Sequence, residues 1–355
     1  MKIRKEHFVQ QENAFDDKLK DTAAIYLNSF NYGLLPVTGN KETSFKVVTK
    51  VSNQKFLNLS VFQLRAVTQG GARIEILESD GIKEFAVDLS LENGLYLIML
   101  SVDLFSKEPF GILQEDEEPP RYPFSTPSIK VNVISEKQIA RDGNNPYSLF
   151  IGKLFLKSDK VEIFEDYIPA SMTLRSHGRL LDFHSSLEKF YNQLEINLLS
   201  IISKIKEKNQ DSSLAVSVLS LALNLLNFIS TNNLKIRWQL VDLPPLYLFE
   251  NIAGFARIIR NTIDCNTAAQ KEELLNYFTN WSELKQGDFE KLLTYCINFE
   301  YDHNEISVNV DQFSEFIQIM ASLFSKLESL AYIGKKKETN IFVKEQTVKR
   351  SFLAD

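Results

Sequence analysis

Apolar residues recur at heptad spacing between Leu180 and Ile205, and this stretch separates two kinds of hydrophobic pattern. Alternating gaps of four and three residues define a set that we call the seam: Leu180, His184, Leu187, Tyr191, Leu194, Leu198, Ile201 and Ile205. Four heptads of this spacing predict a helix with one buried face in a coiled coil or bundle. The spacing leaves open whether the seam faces its own bundle or a three-fold axis.

Before the seam, apolar residues alternate with a period of two. The clearest alternations are Ile74/Ile76, Leu95/Leu97/Met99, Ile129/Val131/Val133 and Leu154/Leu156. They predict about eight short strands in a β-sandwich or barrel. Between Phe56 and Val67 the apolar parity switches after Val61, which predicts a bulge or a strand buried on both faces. An amphipathic helix from His7 to Ser29 is predicted to precede the strands.

Helical spacing follows Ile168-Pro169. Ser171 or Ser176 is expected to cap the seam helix, because a side-chain oxygen there can accept from a free backbone N–H. Leu214 to Ile229 is apolar but shorter than the ~20 residues of a bilayer span, so it is predicted to be a helix buried in protein. Further helices are predicted at 242–263, opened by Pro244-Pro245, and at 268–281, 288–299 and 311–334.

The predicted fold class is therefore α+β, with a β-sandwich followed by a helical bundle. We expect an N-terminal arm and helix at 1–30, the sandwich at 31–170, the bundle at 171–334 and a basic tail at 335–355, beginning Lys335-Lys336-Lys337. Inside the sandwich, Ser106 to Ser128 holds five of the ten prolines and the acidic run Glu115-Asp116-Glu117-Glu118. This segment is interpreted as a long loop, either solvated or binding a partner.

Charge and cysteine content narrow the possible functions. A net charge of −6 argues against broad binding to nucleic acids or anionic membranes, which requires a basic face. Cys265 and Cys296 have neither CxxC nor Cys/His ligand spacing, so no disulfide framework or zinc site is expected. A reducing cytosol fits this composition.

No local signature of catalysis occurs. The four histidines, His7, His177, His184 and His303, form no HExxH pair, and the GxSxG, P-loop and GxGxxG patterns are missing. We therefore expect no catalytic residues, metal ligands or cofactor, and a binding or structural role. His184 replaces an apolar residue in the seam, where it either fixes the register or marks a partly wet end of the bundle.

Several short motifs resemble one family when they are considered together. They are His7-Phe8 with Gln10-Gln11, Tyr32-Gly33-Leu34, Arg121-Tyr122, Tyr167-Ile168-Pro169, Pro244-Pro245-Leu246-Tyr247 with Ile252-Ala253-Gly254, and Tyr301-Asp302-His303-Asn304. In this order they resemble TssK, the trimeric baseplate subunit of type VI secretion systems. The last motif is the most specific, because it resembles the segment that leads into the final long helix of the family.

The resemblance implies a fold and a set of partners. It implies a β "shoulder" similar to phage receptor-binding proteins, a helical "neck", and a cytoplasmic homotrimer at the inner-membrane-proximal baseplate. The shoulder is expected to bind TssF/TssG-like wedge proteins through an arm formed by His7, Phe8, Gln10 and Gln11. Residues 335–355 are too few for the family's C-terminal head, so the link to the membrane complex is expected to use the neck end, the tail or another protein.

Three other functions are compatible with the sequence. A phage tail or baseplate adaptor would share the shoulder and neck. An enzyme with a site at the β/α junction would need a deep pocket with several perturbed ionisable groups. A membrane-surface adaptor would use Lys335 to Lys337. Neither nucleic acid nor a small-molecule substrate is expected as a partner.

Overall fold

The elements follow the change of period in the sequence. The structure, a computed structural model, describes residues 4–37, 43–52, 56–89, 92–142, 145–157, 160–282 and 284–334; the predicted tail lies outside these residues. The strands are β1 Gly33–Leu34, β2 Phe45–Ser52, β3 Phe56–Val67, β4 Arg73–Ile76, β5 Lys83–Asp88, β6 Gly94–Phe110, β7 Phe124–Ser135, β8 Ser148–Lys157 and β9 Lys160–Ile163. The helices are α1 Lys5–Ala24, α2 Glu136–Asp142, α3 Gly178–Glu207, α4 Ser213–Leu234, α5 Pro245–Asp264, α6 Ala268–Trp281, α7 Gln286–Ile297 and α8 Ile306–Ser329. The predicted α+β class is confirmed.

The strands form two antiparallel sheets that share one core. In the first sheet β3 pairs with β1, β2, β4 and β5, and the second has the order β7-β6-β8-β9. Leu59 and Ile74 from the first sheet and Ile98 and Leu154 from the second belong to the same buried cluster. Alternation places these side chains on the inner faces, so the two sheets pack as a sandwich.

A bulge explains the parity switch in β3. Lys46 pairs with Gln63 but its neighbour Val47 pairs with Val61, so Phe62 is the extra residue in the ladder. Apolar residues on both sides of the bulge stay buried, because one inserted residue moves the alternating set back to the inner face. The predicted bulge is confirmed.

Helices α3 to α8 enclose a second core. All eight seam residues are buried in it within a single chain. The seam therefore faces its own bundle, where α3 packs against α4 and α8. Segment Ser213–Asp242 is long and apolar enough to cross a membrane, but α4 buries Leu221, Leu225 and Ile229 in this core, as predicted for a helix buried in protein.

Several boundaries differ from the prediction. Neither serine caps α3, because His177 is the N-cap residue; Ser171 Oγ donates to Pro169 O and Ser176 Oγ accepts from Thr173 N. Helix α8 begins at Ile306, five residues before the predicted start, because its first turn buries Ile306. Helix α1 ends at Ala24 rather than Ser29.

The proline-rich segment is a β-hairpin rather than a loop. Strands β6 and β7 continue past the sandwich, and Phe110 pairs with Phe124 near the tip. Beyond this pair Gln114 and Arg121 form an isolated bridge, and Arg121 makes an ion pair with Glu117. Prolines are tolerated here because the hairpin projects as a two-stranded extension with free strand edges.

Candidate functional site at the junction of the two parts

Three motifs that are far apart in the sequence meet where the sandwich joins the helices. Strand β1, which directly follows Tyr32, pairs with the segment after β9. Leu34 N donates to Ala170 O at 2.7 Å, and Met172 N donates to Leu34 O at 3.0 Å. Gly33 has a φ of +103°, and a Cβ there would lie 1.9 Å from Ala170 O. Only glycine fits this close approach of two backbones.

His303 connects this backbone to the helical part. Its Nε2 lies 2.9 Å from Tyr32 O, and its Nδ1 lies 2.6 Å from the hydroxyl of Tyr301. A carbonyl can only accept, so Nε2 carries the proton and Nδ1 accepts from Tyr301. Both ring nitrogens of the neutral histidine are therefore satisfied by protein groups.

Asn304 and Glu305 extend the same network. Tyr32 donates to Asn304 Oδ1 at 3.0 Å, and Tyr167 donates to the carbonyl of Asn304 at 2.8 Å. Lys153 of β8 forms an ion pair with Glu305 at 2.6 Å. Because these bonds join the sandwich to the turn before α8, they hold the two parts in one orientation; we call Tyr32, Tyr167, Tyr301, His303 and Asn304 the joint.

Burial sets the protonation states of the joint. It lowers the pKa of His303 to about 4, against smaller raising effects of its bond to Tyr32 and the charge of Asp302. It raises the pKa of Tyr32 to about 12 and also raises the pKa values of Tyr167 and Tyr301 above their ordinary value. All four groups are neutral at pH 7, as a hydrogen-bonded structural network requires.

The remaining neck motif lies beside the joint. Pro244 caps α5, and Tyr247 in its first turn makes an edge contact with Phe30 at 6.3 Å between ring centroids. Phe249 stacks on Phe313 at 5.4 Å and lies 6.0 Å from Tyr301. The aromatic cluster thus supports the joint from the helical side.

The predicted arm residues lie in the first two turns of α1. His7 Nδ1 accepts from Arg4 N at 3.2 Å and so caps the helix start. Phe8, Gln10 and Gln11 are exposed, and the Phe8 side chain has 62 % of its surface accessible. The structure does not bring these residues near the joint.

His184 makes a hydrogen bond to the turn that follows α4. Its Nε2 lies 2.7 Å from the carbonyl of Ile236, which belongs to the π-helical turn Lys235–Gln239 after α4. A carbonyl oxygen only accepts, so the histidine donates to it from Nε2. The buried polar seam residue therefore holds α3 and the end of α4 in register within one chain.

The described part of the chain has an open groove but no cluster of metal ligands. No group of three or more His, Cys, Asp or Glu side chains there could hold a metal ion. A groove of about 850 Å³ lies on the outer surface, between Arg260 of α5, Tyr295 of α7 and Ile319 of α8. It is open to solvent, and Asn298, which lines it, lies three residues before Tyr301 of the joint.

Sequence reasoning missed the partners inside the joint and the character of the hairpin. The hydroxyl bonds of Tyr32 and Tyr167 join residues more than 130 positions apart, and no local pattern marks them. The hairpin had a signal, because Phe110, Ile112 and Phe124 are more apolar than a solvated loop requires. Their exposure only becomes visible in the structure.

Comparison with known proteins gives matches by structure but not by sequence. No protein-family model and no curated protein matches the chain. A crystal structure of TssK superposes with a TM-score of 0.53 at 12 % identity, over 91 % of this chain and 67 % of that one. TssK of the type VI secretion system of EAEC, bound to a nanobody, gives 0.48 at 17 % identity over 91 % and 69 %. TssK in a TssK-TssF-TssG baseplate subcomplex gives 0.47 at 13 % identity over 93 % and 97 %.

The architecture defines a class: proteins in which an antiparallel sandwich is joined rigidly to a helical bundle. Within this class the chain has a TssK-like fold.

Proposed function

We propose that the chain is a structural subunit of a type VI secretion baseplate, acting by assembly rather than catalysis. The sandwich serves as the shoulder, similar to phage receptor-binding proteins, and the helices serve as the neck of a homotrimer. The shoulder binds TssF/TssG-like wedge proteins, and the trimer links them to the membrane-anchored complex from the cytoplasmic side. The observation that carries the proposal is a TssK-like fold with exposed apolar side chains on the outward sides of α3 and α4.

The exposed apolar side chains of α3 and α4 support the trimer. The seam is already covered within the chain, so copies must meet through other side chains. On the outward sides of α3 and α4, Ile196, Leu199, Val216 and Leu223 are 43–61 % exposed. Exposed apolar side chains on two adjacent helices are typical of an interface between subunits.

The rigid contact at the joint also supports the proposal. A hydrogen-bonded and aromatic contact between the two parts keeps the shoulder fixed relative to the neck. A baseplate subunit needs this rigidity, because partners bound at its two ends must keep a fixed distance and orientation.

Mass measurement and co-purification test the proposal. Light scattering of the purified chain is expected to give three copies, and the chain is expected to co-purify with the TssF- and TssG-like proteins of the same organism. Deleting residues 1–12 is expected to leave the trimer intact and abolish co-purification, because the arm is lost. A monomeric mass together with no wedge binding by the complete chain would contradict the proposal.

A further inference from the structure

The open groove on the outer surface of the bundle, which we call the outer groove, has an apolar lining. Leu284, Leu292 and Ile319 border it and are only partly buried, and Tyr295 is 56 % exposed. Its volume of about 850 Å³ falls in the range of about 300–1,000 Å³ that is typical of binding sites. The outer groove is therefore large enough for one or two large apolar side chains.

A polar extension continues the outer groove along α5. This second cavity of about 450 Å³ shares Arg260, Thr294 and Asn298 with the groove and adds Arg257 and Asn261. The side-chain amides of Asn261 and Asn298 make no hydrogen bond within the described residues. Since an amide group can both donate to and accept from a peptide backbone, the extension favours an extended peptide segment as the occupant.

The charges around the outer groove indicate the order of groups in that segment. Six of the charged side chains form three ion pairs: Arg260 with Asp264, Glu290 with Lys271, and Asp288 with Lys291. Arg257 of α5 and Glu315 of α8 are exposed and have no ion pair among the described residues. The complementary segment therefore carries an acidic group on one side of its apolar residues and a basic group on the other.

A segment of the tail, outside the described residues, has this order of groups. It is Lys349-Arg350-Ser351-Phe352-Leu353-Ala354-Asp355, with two bases before an apolar pair and one acid after it. The other apolar run of the tail, at 341–343, matches less well, because its base Lys344 is followed directly by Glu345. Residues 335–355 carry a net charge of +3 and residues 1–334 carry −9, so attraction over longer distances also favours contact.

The end of the described chain lies within reach of the outer groove. Gly334 N donates to the hydroxyl of Tyr277 in α6 at 3.1 Å, and α6 ends at Trp281, three residues before Leu284 of the groove. Residues 335–348 span up to about 46 Å when extended, whereas the 24 residues of α8 are about 36 Å long. Residues 349–355 can therefore reach the groove of their own chain.

We propose that the outer groove and its polar extension bind residues 349–355 of the same chain. The apolar pair of the segment contacts Tyr295, its acid pairs with Arg257, and its bases pair with Glu315. This contact goes beyond the proposed function and does not depend on it.

A pair of cysteines tests the contact in the complete chain. Cys265, the exposed native cysteine, is first replaced by serine, while Cys296 is buried. Lys291→Cys at the groove combined with Ser351→Cys in the tail leaves the apolar contacts in place. With oxidised glutathione as the oxidant, we expect a disulfide within one chain, seen as a faster band of monomer mass in denaturing electrophoresis without reductant.

Two matched pairs serve as controls. Phe164→Cys on the sandwich, 42 % exposed, combined with Ser351→Cys is expected to form at least about tenfold less disulfide, because the tail is held elsewhere. Lys291→Cys combined with Thr339→Cys tests the first apolar run of the tail and is also expected to form little.

Charge exchange gives an independent readout in the chain with its native cysteines. Arg257→Glu is expected to lower the hydrogen-exchange protection of Phe352 and Leu353 about two- to fivefold, as for loss of an exposed ion pair. Adding Asp355→Arg is expected to restore the protection. A change in the tail would not reverse a purely structural effect of the substitution in α5.

Each contrary result overturns the proposal in a distinguishable way. Equal linking of the sandwich control, or no protection of Phe352 and Leu353 in the wild type, would show that the tail does not occupy the groove. Preferred linking through Thr339→Cys would assign the groove to residues 341–343 instead. Bands of two or three chains would assign it to the tail of a second copy. None of these results alters the mass and co-purification tests of the proposed function.

Discussion

Protonation of His303 is expected to weaken the joint as the pH falls. Its ring is neutral in the folded chain, with both nitrogens satisfied, and burial lowers its pKa from 6.5 to about 4. The unfolded chain has the ordinary pKa and so binds the proton first. Stability from the neutral ring is therefore complete above pH 6.5 and is lost progressively as the pH falls towards 4.

The magnitude follows from the two pKa values. Between pH 6.5 and 5, the unfolded chain takes up a proton that the folded chain excludes, which lowers the free energy of unfolding by about 1.6 kcal/mol. Burial also lowers the pKa of His177 to about 4, so this histidine adds a similar loss. The wild type is expected to lose about 3 kcal/mol over this range from both rings.

Substitution of one histidine separates the two contributions. His303→Gln removes the titrating ring at the joint, so the loss between pH 6.5 and 5 is expected to be about half that of the wild type. At pH 7 the variant is expected to be about 1–3 kcal/mol less stable, because buried partners lose their hydrogen bonds.

Urea unfolding followed by circular dichroism at several pH values between 7 and 5 measures both effects. His177→Gln is the matched control, since it halves the pH dependence without touching Tyr32 or Tyr301. A His303→Gln variant with the same pH dependence as the wild type would refute the buried neutral histidine at the joint.

Two further pairs of variants test the packing. Leu194→Asp is expected to cost at least about 4 kcal/mol and unfold the bundle, because it puts a charge in the seam; Ile196→Asp, two residues away and 61 % exposed, is expected to keep the circular dichroism spectrum and yield monomers by light scattering. Equal unfolding of both would contradict the orientation of α3. Gly33→Ala is expected to lower the urea midpoint much more than Gly81→Ala, because both have positive φ but only Gly33 meets Ala170 O. Equal shifts would show that backbone strain alone matters.

The spacing of apolar residues along the sequence was enough to predict much of the architecture. The seam, the buried α4 and the strands of the sandwich each follow from which neighbouring residues must share a face. The bulge at Phe62 also followed, because a one-residue insertion necessarily switches the alternation. These are local consequences of backbone geometry, so a single sequence contains them.

Helix starts and the hairpin were less predictable. Ser176 has the side chain of a cap, but the preceding 3₁₀ turn uses its oxygen and leaves His177 at the helix start. The hairpin residues have the composition of a loop, and pairing between β6 and β7 overrides it. Such competition between local preferences is decided by the neighbouring elements.

Only the tertiary structure decided which motifs meet and which faces remain open. Tyr32, Tyr167 and His303 come together because the sandwich and the bundle fold as separate cores and must be joined at one place. The heptad spacing predicts the same seam whether that face packs within its own bundle or against other copies. The spacing of apolar residues defines which helix face is buried but not which element covers it. Packing of α3 between α4 and α8 covered the seam, because burial depends on what each face meets in space.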